Sequence, residues 1–111
     1  MKYSDEQRIQ KICVTGQKLL DYIEQNRITK EKLLEDYSLQ WLVTTPMYHI
    51  GEQVYHLSDD YKKKHQNIPW GMIAGLRHRL VHDYDGTNWN IIAEVILVEL
   101  PILIRQLKNL D

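Results

Sequence analysis

The chain has a single cysteine, Cys13, in 111 residues. That excludes a disulfide framework and makes a reducing cytoplasm the natural setting. Cys13 sits among helix-spaced apolar residues and is expected to be a buried, inert thiol. No apolar run approaches the roughly 18 residues that a membrane span needs. The opening Met1-Lys2-Tyr3-Ser4-Asp5-Glu6 is polar and acidic where a signal peptide would be basic and then apolar. A dominant charge is also missing: the formal net charge is -1 and the pI about 6.5. The chain therefore does not grip nucleic acid by overall charge, and any RNA contact must come from a local patch. The candidates are Lys62-Lys63-Lys64-His65, which reads equally well as a solvated face, and Arg77-His78-Arg79. Strand alternation and internal repeats are absent.

What is present is helical periodicity. With 43% hydrophobic and 26% charged residues, the composition is that of a globular protein, and residues 1–111 are expected to form one domain with its own core. Ser4 caps a first helix, with Asp5 and Glu6 in the first turn where the helix dipole favours negative charge. Its stripe (Ile9, Ile12, Leu19, Leu20, Ile23, with Cys13 and Gly16) predicts a helix to about Asn26. Thr29 caps a short connector from Lys30 to about Asp36. A second long pattern runs from Leu39 through Leu42, Val43, Met47, Ile50, Val54, Leu57 and Tyr61, interrupted by Pro46. Either the helix is kinked there, or it begins at Thr45 with Pro46 in its first turn. Pro69 opens a third helix with Met72, Ile73, Leu76 and Leu80 on its apolar face, ending near Tyr84; Ala74 and Gly75 would allow close approach of a neighbouring backbone. Asp85-Gly86-Thr87-Asn88 is a turn, and Trp89 to Leu110 a last, well-buried helix bent at Pro101. The expected architecture is all-α, an antiparallel bundle of four main helices kinked at Pro46 and Pro101.

Chemistry concentrates in Gly75-Leu76-Arg77-His78-Arg79-Leu80-Val81-His82-Asp83-Tyr84, at the end of the third helix. An arginine presents a planar, permanently charged fork that matches phosphate oxygens, and a histidine moves protons near neutral pH. Together they suit metal-independent RNA cleavage, in which the ribose 2'-hydroxyl attacks the adjacent phosphate. One chain offers one strong histidine, His82, so two chains about a two-fold axis would supply base, acid and two arginines. Spacing alone does not join the pair, because five residues correspond to about 140° of helix rotation. Two other readings stand beside this one. The cluster is also a basic helix end answering the dipole, and His78 and His82, four apart, have metal-ligand spacing, although the flanking arginines disfavour a cation. His49, His56 and His65 are scattered and read as structural or solvated.

Arg77-x-x-x-x-His82-x-Tyr84 resembles the R-x4-6-H signature of HEPN domains, with the H-x-Y ending of the HepT branch. Ile50-Gly51-Glu52 resembles that branch's I-G-E. Ile68-Pro69-Trp70 with Ile73-Ala74-Gly75-Leu76-Arg77 resembles its I-P-W-x-x-I-A-G-L-R, and Leu100-Pro101 its L-P. The resemblance spans nearly the whole chain. It implies a cytoplasmic, homodimeric ribonuclease toxin of a toxin–antitoxin pair, acting on RNA without metal or cofactor. Arg77 and His82 would be catalytic, with His78, Arg79 and Asp83 supporting. It also implies an MntA-type nucleotidyltransferase antitoxin that adds AMP to Tyr84 and silences the toxin. The chain departs from the pattern at Thr45-Pro46, where many relatives carry an R-N pair. An alternative from another class is a non-catalytic substrate-binding module that accompanies a minimal nucleotidyltransferase.

Overall fold

Ser4 starts the first helix through a reciprocal cap. Its hydroxyl accepts from the Gln7 backbone N–H at 3.1 Å, and the Gln7 side chain accepts from the Ser4 N–H at 2.8 Å. The computed structural model describes residues 2–82 and 88–110, with side chains as far as residue 80 and again from residue 88. Helix α1 runs Asp5–Gln25. After Asn26 the backbone turns through Arg27 at φ 50°, which lets the Ile28 N–H reach back to the Ile23 carbonyl at 3.0 Å and close the helix end. Thr29 caps α2, Lys30–Glu35.

Helix α3, Tyr37–Tyr55, begins at Asp36, whose carboxylate accepts from the Ser38 and Leu39 N–H groups. Pro46 lies inside it. The chain is thus helical before the proline, and a start at Thr45 is excluded. The helix tolerates Pro46 because its stripe of Val43, Met47, Ile50 and Val54 is fully buried, and that packing outweighs the single backbone hydrogen bond that proline removes.

The pattern from Leu39 to Tyr61 is not one helix. It ends at Tyr55, and Ser58 caps a separate α4, Asp59–Lys64. Leu57 is buried and Tyr61 packs on the core, so the apolar rhythm continues across a backbone break. The break is pinned from elsewhere: the Ser58 N–H and hydroxyl both donate to the Asp5 carboxylate, at 2.9 and 2.7 Å.

Helix α5, Trp70–His82, returns along α3. Trp70, Ile73, Leu76 and Leu80 are buried, whereas Met72 is exposed and does not belong to the apolar face. The close approach that the sequence suggested for Gly75 occurs instead at Gly51. A Cβ on Gly51 would sit 3.2 Å from the Arg77 Cβ, the Arg77 nitrogen and the Ile73 carbonyl oxygen, while one on Gly75 would meet nothing within 4 Å.

Asn88 caps α6, Trp89–Glu94, by accepting from the Asn90 and Ile91 N–H groups. A π-helical turn, Val95–Glu99, then leads into α7, Leu100–Lys108. Pro101 has no N–H to offer the turn before it, and the wider π hydrogen-bonding pattern lies just ahead of it. This last helical stretch buries Ile92, Ile96, Leu100, Leu103 and Leu107 but leaves Ile91, Val98 and Ile102 exposed. It is therefore less completely enclosed than its sequence suggested.

Among the described residues there is no strand, and four long helical stretches with two short connectors form an all-α bundle. α3 packs between α1 and α5, α1 also packs on α7, and α2 packs on α6. Gln53 is the buried polar residue, satisfied by the Arg8 Nη1 at 2.8 Å. Cys13 is half-buried rather than fully enclosed; burial raises its thiol pKa, partly offset by Lys108, which keeps thiolate scarce. No helix is long and apolar enough to cross a membrane among the described residues.

Candidate functional site

The site grows from the packing of α3 on α5. Gly51 brings the two backbones together beside Arg77, and the next residue, Glu52, then faces the arginine. Helical Cα–Cβ bonds tilt toward the N-terminus, so Arg77 reaches back along α5 toward the end of α3. Its guanidinium carbon lies 4.1 Å from the centroid of the Tyr55 ring, close enough for a cation–π contact. Its Nη1 is 3.8 Å from Glu52 Oε2, an ion pair at long range rather than a hydrogen bond. Its Nε is buried with no hydrogen-bond partner among the described residues.

Glu52 is the hub. Its Oε1 lies 2.7 Å from His56 Nε2. Hydrogen bonding to the Tyr48 phenol, then the His56 ring and the Arg77 charge, hold its carboxyl below the usual range against the opposing effect of burial. The same bond to Glu52 pushes the Tyr48 phenol up. Tyr48, Glu52 and His56 follow each other at i, i+4 along one face of α3. Tyr55 meets His56 edge-on, ring centroids 5.2 Å apart. The Arg77, Glu52 and His56 side chains are 32, 26 and 49% exposed, so a solute can reach all three.

The residues singled out from sequence separate as follows. Arg77 is held in this cluster, and His78 and Arg79 are exposed on α5. His82 closes α5, and its side chain lies outside the described residues, as do Asp83 and Tyr84. Glu52 entered the sequence reading only as a motif letter, and Tyr48, Tyr55 and His56 did not enter as site residues at all. The regular spacing of 48, 52 and 56 was the signal available for them. Among the described residues no group of three or more His, Cys, Asp or Glu side chains gathers to hold a metal ion. Of the basic run, Lys62 reaches the Tyr55 carbonyl at 3.5 Å, and all three lysines occupy the last turn of α4, where they answer its dipole.

Residues 8–110 match the ribonuclease HepT-like family. The chain belongs to that family. A protein of Caldanaerobacter subterraneus subsp. tengcongensis named "Putative RNase" is 39% identical over 83 residues, covering 75% of this chain and 74% of that protein. One of Methanocaldococcus jannaschii with the same description is 32% identical over 85 residues, covering 77 and 70%. The "Probable ribonuclease HepT" of Thermococcus cleftensis is 29% identical over 80 residues, covering 72 and 73%. No solved structure matches the chain. In this HepT-like member the Arg77 guanidinium is oriented by an acid and an aromatic ring.

Proposed function

We propose that this HepT-like protein is a metal-independent endoribonuclease and the toxin of a toxin–antitoxin pair, working as a homodimer with the R-x4-H motif in a shared cleft. The observation that carries this reading is Arg77: a solvent-reachable guanidinium braced by Glu52 and Tyr55. Such a group is prepared for an anion whose oxygens take up its donors. Arg77 holds the scissile phosphate and the charge that develops on it. His82 supplies one of the two proton transfers that 2'-hydroxyl attack and 5'-oxygen departure require. In this reading His78, Arg79 and Asp83 support the catalytic pair.

The homodimer draws support from α3. Tyr37, Trp41 and Tyr55 are 64, 59 and 50% exposed, and with Tyr48 they fall on one stripe of the helix, beside Glu52. A second copy of the same stripe across a two-fold axis would cover these rings and bring two Arg77 clusters together.

Regulation belongs to Tyr84. In this reading a nucleotidyltransferase antitoxin transfers AMP to its phenol, two residues after His82. The added phosphodiester pairs with the charge that would otherwise hold RNA, and the adenosine fills the strand's place. Expression of the wild type alone is expected to arrest growth, and His82→Ala to relieve the arrest. Co-expression with the cognate nucleotidyltransferase should add mass in multiples of AMP, lost in Tyr84→Phe. Unmodified protein, or modification that survives Tyr84→Phe, removes the regulatory half of the proposal. Full toxicity of His82→Ala removes the catalytic half and favours the binding-module alternative.

A further inference from the structure

RNA cleavage through the 2'-hydroxyl needs two proton-transfer groups, and the R-x4-H motif of one chain names only His82. The geometry points to His56 as the second: we infer that His56 is the general base of the same active site, held by Glu52 next to Arg77. This rests on the ribonuclease reading above and assigns a role within it to a residue on a different helix, outside the motif.

Three observations carry the inference. His56 Nε2 is bonded to Glu52 Oε1 at 2.7 Å. An ionised carboxylate there keeps the ring proton on Nε2, which leaves Nδ1 as the lone-pair nitrogen. A carboxylate that fixes the tautomer and orientation of a histidine in this way is the arrangement by which such rings serve as bases. Second, Glu52 also faces Arg77, and Tyr55 touches both: the guanidinium stacks on the ring face at 4.1 Å and the His56 ring meets it edge-on at 5.2 Å. Arg77 and His56 thus share both the Glu52 carboxylate and the Tyr55 ring. Third, His56 is half-exposed at the C-terminal end of α3, so a substrate can reach the ring. The groups around it are Glu52, Tyr55 and Tyr48 on α3, Arg77 on α5, and Lys62 of α4, which reaches the Tyr55 carbonyl.

The step balances with groups that the shared cleft supplies. The 2'-hydroxyl proton passes to His56 Nδ1 as the 2'-oxygen bonds to phosphorus, with Arg77 on the non-bridging oxygens. The P–O5' bond breaks, and the 5'-oxygen takes a proton from protonated His82. The products are a 2',3'-cyclic phosphate and a 5'-hydroxyl. A dimer that uses one His82 as base and the other as acid gives the same products, so the test must separate the two schemes.

The test is single-turnover cleavage of a ribo-oligonucleotide by the full chain as wild type, His56→Gln and His82→Gln. Each is assayed on a normal phosphodiester and on one whose 5'-oxygen is replaced by sulfur. A thiolate leaves without a proton, so loss of the acid is rescued by sulfur and loss of the base is not. Glutamine keeps an amide donor for Glu52, and His56→Asn with melting curves guards against a fold defect. We expect His56→Gln to lower the rate by about 10²–10⁴-fold on both substrates, and His82→Gln to be rescued on the sulfur substrate alone. Wild-type rates in His56→Gln, or rescue of His56→Gln by sulfur, would overturn the assignment while leaving the ribonuclease reading intact. A wild type that cuts neither substrate would sink both.

Discussion

Glu52 shows how one carboxylate orders a site: it faces Tyr48, His56 and Arg77 from a position one residue past Gly51, where no Cβ keeps the helices apart. From sequence, Arg77 could be picked out by its motif, but Glu52 could not be ranked above other surface acids, because its partner lies on another helix. For the same reason His56 reads from sequence as structural or solvated. A second carboxylate, Asp5, does structural work: it ties the start of α1 to the cap of α4 through two bonds from Ser58. Burial raises its pKa, but the bonds from Ser58 and the charges of Arg8 and Lys62 outweigh this, and the net shift is downward. A carboxylate depressed in the folded state contributes stability above its unfolded pKa of about 4, and loses it as pH falls through the folded value. Asp5→Ala should therefore cost about 1 kcal/mol at pH 7. The gap to wild type should narrow as denaturant melts are repeated below about pH 4. A gap that stays constant to pH 2 would show that the carboxylate charge is irrelevant.

At the scale of elements, the helices were legible wherever periodicity and caps agreed: Ser4 and Thr29 cap helices where the sequence placed a start, and the last helix opens at Trp89 as its pattern indicated. The reading failed where packing and backbone part company. Leu57 and Tyr61 stay in the apolar rhythm although Ser58 has broken the helix. At Pro46, where the sequence left a kink and a later start both open, the helix runs through the proline. The close approach was also placed at Gly75 rather than Gly51, since spacing cannot tell which glycine faces a neighbour. Gly51→Ala must push α5 away, because the atoms 3.2 Å from the new Cβ include backbone, and should destabilise by about 1–3 kcal/mol. Gly75→Ala meets open space and should stabilise by about 0.5–1 kcal/mol through helix propensity. On thermal melts the two should move in opposite directions by several degrees. A stabilised Gly51→Ala would contradict the contact that positions Arg77.

For the whole molecule, the all-α bundle followed from the sequence pattern, whereas the surface it leaves uncovered did not. Tyr37 and Trp41, with rings 4.8 Å apart and edge to face, present a large apolar area on α3. In the proposed homodimer this stripe is the isologous contact, so one substitution acts twice. Wild type should be a dimer by light scattering at micromolar concentration. Trp41→Glu should shift it to monomer with little change in helicity. A Trp41→Glu dimer would move the interface elsewhere.

The central claim is that Arg77 and the histidines around it cut RNA without a metal. Its most direct measurement is cleavage of a defined ribo-oligonucleotide in EDTA by purified wild type and Arg77→Ala, with product ends identified by mass. The account predicts wild-type cleavage that EDTA leaves unchanged and products ending in 2',3'-cyclic phosphate. It also predicts a loss of about 10²–10³-fold or more in Arg77→Ala, with melting close to wild type. Activity abolished by EDTA and restored by zinc, or an Arg77→Ala variant that cuts as fast as wild type, would contradict it.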